Sequence, residues 1–267
     1  MKPLRVCSLF DGISVGRLAL HQLGIPVESY QASEISKAPM AIAKHNFPDI
    51  QHVGDVTKFQ PEGECHLLMA GSPCQGFSLA GKQLNFEDPR SKLFFEFVRI
   101  LKAVKPKYFF LENNRMKKEY EKIITDILGV EPIRINSSLV SCQNRSRLYW
   151  TNIPKAAVPA DKGIMLEYLV GPYDGIFVVP RGFNEGGVQS YKGKSPAVTC
   201  SSWHHNFFLS VNGQKVRFGI NTVEQIQTLP IDYTNAPGVA LTNRYKACGN
   251  TWTLEVIKHL FQGLIDA

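Results

Sequence analysis

Apolar residues in the first half of the chain gather into short runs, and between these lie stretches in which apolar positions recur three and four apart. The runs predict strands at about 4–9, 28–33, 65–70 and 107–112, since a brief apolar run bounded by turn formers suits a strand buried on both faces. The intervening stretches 15–23 (Val15, Leu18, Ala19, Leu23), 37–46, 92–104 (Leu93, Phe94, Phe97, Ile100, Leu101) and 117–128 carry one apolar face at helical spacing. Segment 132–150, with Ile133, Ile135, Leu139 and Val140 and then Leu148-Tyr149-Trp150, predicts a closing pair of strands. Strands alternating with helices imply an α/β fold on a mostly parallel, doubly wound sheet.

From about Pro154 the pattern changes. Gly and Pro become frequent among short β-rich pieces such as Ile176-Phe177-Val178-Val179 and Ala197-Val198-Thr199-Cys200. This places a small β-rich domain at 154–242 and leaves 1–153 plus 243–267 as the main domain. Thr222-Val223-Glu224-Gln225 has the form of a capping box, with Pro230 stopping its helix, and Val256, Ile257, Leu260, Phe261 and Leu264 give an amphipathic helix over 253–265.

Composition narrows the classes. The 267 residues are 44% hydrophobic and 20% charged without any run of eighteen apolar residues, which predicts a soluble globular protein with no membrane span. The start, Met1-Lys2-Pro3-Leu4-Arg5, runs too quickly into Asp11-Gly12 for a signal peptide. Six scattered cysteines, with no Cys-x-x-Cys pair and no histidine partner at ligand spacing, predict no metal site and a reducing, cytoplasmic setting. The net charge of +7 suits a polyanionic partner.

Candidate chemistry lies where the strands end, because open α/β sheets bind ligands at their carboxyl edge. Phe10-Asp11-Gly12-Ile13-Ser14-Val15-Gly16 joins the first strand to the first helix, and Gly12 and Gly16 allow a tight turn and close approach of a ligand. Glu34, followed by Ile35, ends the second strand at the spacing from which a carboxylate grips ribose hydroxyls, and Asp55, followed by Val56, lies where a third strand would end. Together these loops can surround an adenosine. Cys74, in Gly71-Ser72-Pro73-Cys74-Gln75, is a thiol at the carboxyl end of a buried strand, the position of a nucleophile. Glu112, in Glu112-Asn113-Asn114, leaves the same edge and can hold or supply a proton. Arg145 and Arg147, two apart in Gln143-Asn144-Arg145-Ser146-Arg147, share one face if that segment is extended.

These segments, in this order, resemble the DNA cytosine C5-methyltransferases over residues 6 to 260. The Pro-Cys-Gln, Glu-Asn and Gln-x-Arg-x-Arg segments carry most of the likeness, which is nearest to compact prokaryotic or phage enzymes and to the catalytic domains of animal de novo methyltransferases. The resemblance implies a Rossmann-like, seven-stranded methyltransferase sheet with an antiparallel hairpin and a small target-recognition domain. It implies S-adenosyl-L-methionine as cofactor and S-adenosyl-L-homocysteine as product, held by Phe10, Asp11, Gly12, Gly16, Glu34, Ile35, Asp55, Val56, Pro73, Leu93, Asn250 and Thr251. Cys74 would add to C6 of a flipped cytosine in duplex DNA while Glu112 stabilises a proton at N3, Arg145 meets the cytosine carbonyl and Arg147 orients the acid. Asn114 stands where the family usually has Val, a change expected to alter packing while leaving the carboxylate intact.

The resemblance places the chain in the cytoplasm of a prokaryotic cell or phage-infected host, acting on duplex DNA with no membrane and no obligate protein partner. In the recognition region Arg181, Lys192, Lys194, His204, His205, Lys215 and Arg217 would position phosphates among Tyr191, Trp203, Phe207 and Phe208, unless those aromatics form the small domain's core. Two alternatives use the same fold: an RNA cytosine methyltransferase acting on a tRNA base, and a non-catalytic DNA-binding decoy.

Overall fold

The protein is described from a computed structural model, which covers residues 2–61, 63–71, 89–182, 184–201 and 203–265. In chain order the first elements are β1 (Leu4–Leu9), α1 (Val15–Gln22), β2 (Val27–Ser33), α2 (Lys37–Asn46), β3 (Gln51–His52), β4 (Leu67–Gly71), α3 (Pro89–Val104), β5 (Tyr108–Asn114), α4 (Lys118–Leu128), β6 (Ile133–Asn136), β7 (Gln143–Asn144) and β8 (Ser146–Thr151). A seven-stranded sheet runs β3-β2-β1-β4-β5-β8-β6. Its β3-β2-β1-β4-β5 stretch is parallel, and β8 returns antiparallel to β5. The α/β architecture and the antiparallel closing strand read from the sequence are therefore those observed.

The order of the strands positions the site. From β1 the chain winds outward to β2 and β3, then crosses back to place β4 and β5 on the other side of β1. Such a reversal opens a crevice at the carboxyl ends of the two strands flanking it. The sheet is anchored by a core that includes Leu9, Leu68, Ala70, Phe94, Phe97, Leu111, Leu148 and Trp150. Each large side chain of this kind contributes about 1.5–3 kcal/mol on burial. Trp150 Nε1 also donates to Thr125 Oγ1 at 3.0 Å, tying α4 to the sheet without leaving the indole N–H unmatched.

The chain divides into two compact units. The first comprises 1–135, 146–158 and 257–267, and the second comprises 136–145 and 159–256. Residues 136–145 and 243–256, assigned from sequence to the main domain, thus cluster with the second unit. The second unit adds α5 (Glu167–Val170), β9 (Gly175–Val178), β10 (Gly187–Gln189), β11 (Ser195–Pro196), α6 (Trp203–Asn206), β12 (Phe207–Val211), β13 (Gln214–Arg217), α7 (Ile220–Ile226) and α8 (Leu241–Asn250). It holds an antiparallel sheet of order β10-β9-β12-β13 and a short parallel pair of β7 with β11. The last helix, α9 (Leu254–Phe261), begins in the second unit and ends in the first, where Phe261 meets Phe110 edge to face at 5.2 Å.

One local reading changes. Thr222 lies inside the first turn of α7, whose N-cap is Gly219, so the capping-box reading does not hold. Glu224 is instead fully buried and accepts from the backbone N–H groups of Asp232 and Thr234, with Arg244 Nη2 at 3.2 Å. Gly249-Asn250 forms the last residues of α8. A Cβ at Gly249 would come within 2.2 Å of Cys200 N and Thr199 C, so the glycine is there to let two backbones touch.

Candidate active site

At the end of β1 the chain turns sharply, with Phe10, Gly12 and Ser14 at φ 56, 59 and 59°. Asp11 holds this turn. Its carboxylate accepts from Ser8 Oγ at 2.5 Å, from Tyr30 Oη at 2.6 Å and from Ser14 Oγ. Enclosure by protein pushes the Asp11 carboxyl up to about 6, against the pull of these three hydroxyls. Asp11 N donates to Ser33 O and Ser33 Oγ donates to Gly54 O, so the loops after β1, β2 and β3 are bonded into one rim. Gly16 lies buried within α1.

On this rim Glu34 accepts from Gly12 N at 3.0 Å and from the N–H groups of Ile35 and Ser36 at 2.9 and 2.8 Å. These three backbone N–H groups lock the carboxylate in orientation. Ile35 beside it is 74% exposed, and a Cβ on Gly12 would have nothing within 4 Å. Asp55 Oδ1 is held by Thr57 N and Oγ1, both at 2.9 Å, bonds that keep its carboxyl below the usual range. Val56 is buried beneath it, and Phe10 and Leu93 pack partly against the same core. An oriented carboxylate, an uncovered apolar side chain, an open glycine and a second carboxylate suit a nucleoside, whose ribose hydroxyls and amino group donate and whose base is flat and apolar. The residues present therefore fit the nucleoside part of S-adenosylmethionine.

A second group lies at the ends of β4 and β5. Gly71 pairs with Glu112 in the parallel ladder, so both strands reach the carboxyl edge at one level. Ser72 to Asp88, including the expected nucleophile Cys74 and Pro73, lie outside the described residues. Across β5, Arg147 stands opposite Asn114 and Tyr149 opposite Glu112. From this diagonal place Arg147 Nε meets Glu112 Oε1 at 3.0 Å, with both side chains largely buried. Asn114, where a Val was expected, thus faces the arginine that holds the acid.

Arg145 is placed differently. The segment is not one continuous strand, because β7 ends at Asn144 and pairs with β11 whereas β8 begins at Ser146 in the large sheet. The two arginines accordingly fall in different units, and the single extended face expected for them is not formed. The Arg145 guanidinium is buried and donates to Val198 O at 2.7 Å, Thr251 O at 2.9 Å and Gly249 O at 3.5 Å. Gln143 adds bonds from Nε2 to Ile226 O and to Gln227 Oε1, and its Oε1 accepts from Val198 N. Asn250 is exposed at the end of α8, whereas Thr251 is buried with its carbonyl on Arg145.

The recognition-region residues also separate. Lys194 Nζ is enclosed by the carbonyls of Ser138, Ser141 and Ile164, and Trp203 packs at 5.4 and 5.0 Å from Phe207 and Phe218. His204 is stacked on Tyr245 at 4.1 Å. Lys215 and Arg217 remain exposed. Tyr30 and Ser8, which brace Asp11, were not singled out from sequence, because their use depends on a register between β1 and β2 that no local motif announces. Among the remaining cysteines, burial pushes the Cys142 thiol up to about 11, and bonding to Cys7 together with burial raises Cys65. Neither supplies a thiolate near neutral pH.

Among the described residues no group of three His, Cys, Asp or Glu could hold a metal ion, and no helix is long and apolar enough to cross a membrane. The strand order, with its rim of loops at the carboxyl edge, defines a doubly wound α/β class. Residues 4–129 match the family described as C-5 cytosine-specific DNA methylase. The chain is 34% identical over 180 residues to the orphan methyltransferase M.Rho11sI of Bacillus phage rho11s, covering 62% of this chain and 36% of that protein. It is 41% identical over 160 residues to the type II methyltransferase M.HgiCI of Herpetosiphon aurantiacus, covering 55% and 38%. The chain thus spans well under half the length of these curated relatives. The fold is shared more widely, with a TM-score of 0.75 to the Entamoeba histolytica methyltransferase EhMeth at 18% identity, over 100% of this chain and 99% of that one. The S. pombe Dnmt2 methyltransferase gives a TM-score of 0.70 at 18% identity over 98% of each chain.

Proposed function

We propose that the protein transfers a methyl group from S-adenosylmethionine to C5 of a cytosine flipped out of duplex DNA, through a covalent bond between Cys74 and C6. The observation that carries this reading is the Arg147–Glu112 pair at the end of β5, level with the end of β4, from which the chain runs three residues to Cys74.

Cytosine C5 is a poor nucleophile. Addition of the Cys74 thiolate to C6 forms the Sγ–C6 bond and moves the ring's π electrons toward C5, while Glu112 holds a proton at N3 so that the charge does not accumulate on the ring. Arg147 keeps the Glu112 carboxylate in one orientation for this task. The bound cofactor supplies an electrophilic methyl group on its sulfonium. Once C5 carries the methyl group, loss of the C5 proton and departure of Cys74 restore the aromatic ring and free the thiolate. Glu34, Ile35 and Asp55 would hold the nucleoside, and Asp11 with Gly12 would shape the turn beneath it. Arg145, with its guanidinium on Val198, Gly249 and Thr251, would position the segment containing Asn250 and Thr251. Drawing the base from the stack costs a few kcal/mol, offset by pocket contacts.

The test is covalent trapping on a duplex containing 5-fluorocytosine. Fluorine cannot leave as a proton does, so the enzyme should remain attached after methyl transfer, and Cys74→Ala should give no adduct. A wild-type protein that methylates cytosine yet never forms the adduct would remove the covalent mechanism. A protein that does neither would be a binding module. Trapping on a tRNA but not on duplex DNA would transfer the reading to RNA.

A further inference from the structure

The Asp11 carboxylate is ringed by hydroxyl donors and has no cation beside it. Ser8 from β1, Tyr30 from β2 and Ser14 from the entry to α1 each place an O–H on it, and among the described residues no cation pairs with it. Arg17 on α1 is turned to Asp49 Oδ2 at 3.1 Å and lies over the Phe47 ring. On β3, His52 faces the same side of the sheet as Ser8, since Ala32 stands between them in register. Burial and Lys44 on α2 hold His52 below its ordinary value, and both its ring nitrogens are buried without a hydrogen-bond partner. The charge that does act on Asp11 is Glu34, a second carboxylate, from the loop after β2.

Two demands on Asp11 oppose each other. As an anion it accepts all three hydroxyls, whereas as an acid its own O–H needs an acceptor and one hydroxyl must turn away. Enclosure and the neighbouring Glu34 nevertheless penalise the charge and bring the carboxyl up to about 6. The group is therefore poised between its two forms, and a positive charge arriving at the rim tips it to the anion. Glu34, held by the N–H groups of Gly12, Ile35 and Ser36, stands on the same rim. The two ligands this rim would meet in turn differ in charge: the methyl donor is a sulfonium and its product a neutral thioether.

We infer that Asp11, braced by Ser8, Ser14 and Tyr30, is the residue by which the rim prefers the cationic S-adenosylmethionine to the uncharged S-adenosylhomocysteine. The inference rests on the cofactor reading above and adds a selectivity to it. Asp11 gives up its proton to solvent when the sulfonium is bound and takes one back once the ligand is a thioether. Methyl transfer thereby loosens the hold on its own product. Glu34 and Asp55 would grip the nucleoside, which both ligands share, so those contacts do not make the distinction. An Asp11 that served only to shape the turn would affect both ligands alike.

The experiment is calorimetric titration of the whole chain with S-adenosylmethionine, S-adenosylhomocysteine and sinefungin, whose ammonium stands where the sulfonium methyl does, in buffers of different ionisation enthalpy. At pH 6 the two cationic ligands should release about 0.4 proton and the thioether almost none. Between pH 5 and 7, below the range in which the ligands' amino groups titrate, affinity for S-adenosylmethionine should rise about fivefold and that for S-adenosylhomocysteine should stay level. Asp11→Asn should abolish the proton release and lower the ratio of the two affinities at pH 7 about tenfold. If that variant does not fold, the proton counts of the parent decide. Equal release with both ligands, or none with either, overturns the inference, as does a pH dependence that survives in Asp11→Asn and vanishes in His52→Gln. The two readings fail differently: a chain that binds none of the three ligands sinks the cofactor reading and this inference with it, whereas one that binds them without a difference in protons sinks the inference alone.

Discussion

Arg147 reaches diagonally across the antiparallel β5–β8 pair to place Nε 3.0 Å from Oε1 of Glu112, while directly opposing Asn114. A planar guanidinium fixes a carboxylate's direction as well as its charge, which a lysine ammonium cannot do. Arg147→Ala is expected to lower kcat by about a hundredfold, on the scale of losing one oriented electrostatic contact in an active site, with cofactor affinity unchanged. Arg147→Lys should recover less than a tenth of the lost rate. Single-turnover methyl transfer and a separate cofactor titration check the two parts. Equal loss of both would make Arg147 a structural residue.

Asp11 gives a pH dependence with a definite sign. Its carboxyl is moved from 3.8 to about 6 in the folded chain by enclosure, so the native state favours its protonated form. The stabilisation is complete below about 4 and is lost as pH rises through about 6, amounting to roughly 3 kcal/mol for a change of this size. Asp11→Asn should flatten the melting temperature between those two pH values relative to the parent. It should also weaken cofactor binding, since the amide cannot accept from Ser8, Ser14 and Tyr30 together. A parallel pair of pH–melting curves would mean that Asp11 is not the group responsible.

How much of this was legible beforehand follows from what is local. The strands and helices of the first unit were readable because β4 and β5 are buried on both faces and spell that out in unbroken apolar runs, and Glu34 and Glu112 were readable because a strand's end fixes where a carboxylate goes. Arg145 was not, since the break between β7 and β8 depends on β11, some fifty residues further on, pairing with Gln143 and Asn144. Glu224 was misread for a related reason: a capping box is a four-residue pattern, whereas the groups that bind this carboxylate come from Asp232, Thr234 and Arg244. Phe177 was legible only as part of a short β-rich piece, and its face follows from the register that sets it beside Val188 and Phe208.

Two glycines should prove intolerant of the smallest substitution, one in each unit. At Gly249 a Cβ would meet Cys200 N and Thr199 C at 2.2 Å, and at Gly263 it would meet Pro154 O at 1.8 Å. In both cases the obstacle is backbone, which cannot swing aside as a side chain does. Gly249→Ala and Gly263→Ala are each expected to cost about 1–3 kcal/mol, as overpacking of a filled site does, read as a lower denaturant midpoint. Gly12→Ala makes a useful contrast, for its Cβ meets nothing within 4 Å and any cost comes from φ 59° alone. A midpoint for Gly249→Ala equal to that of the parent would mean the two backbones are not in contact.

The cofactor assignment is most sharply tested at Ile35. An exposed apolar side chain normally contributes little, and surface changes away from special features usually fall within about 0.5 kcal/mol. Ile35→Ser should therefore leave the melting temperature almost unmoved. If the nucleoside lies against this side chain, the same change removes apolar contact from the bound state alone, and affinity for S-adenosylhomocysteine should fall about fivefold to thirtyfold, or roughly 1–2 kcal/mol, by calorimetric titration. Glu34→Ala should lose about 1–3 kcal/mol of binding, the scale of hydrogen bonds to a charged group, but it also releases Gly12 N, Ile35 N and Ser36 N and so will lower stability too. Only the Ile35 variant separates binding from folding. An unchanged affinity there would move the nucleoside off this rim, whatever the Glu34 variant does.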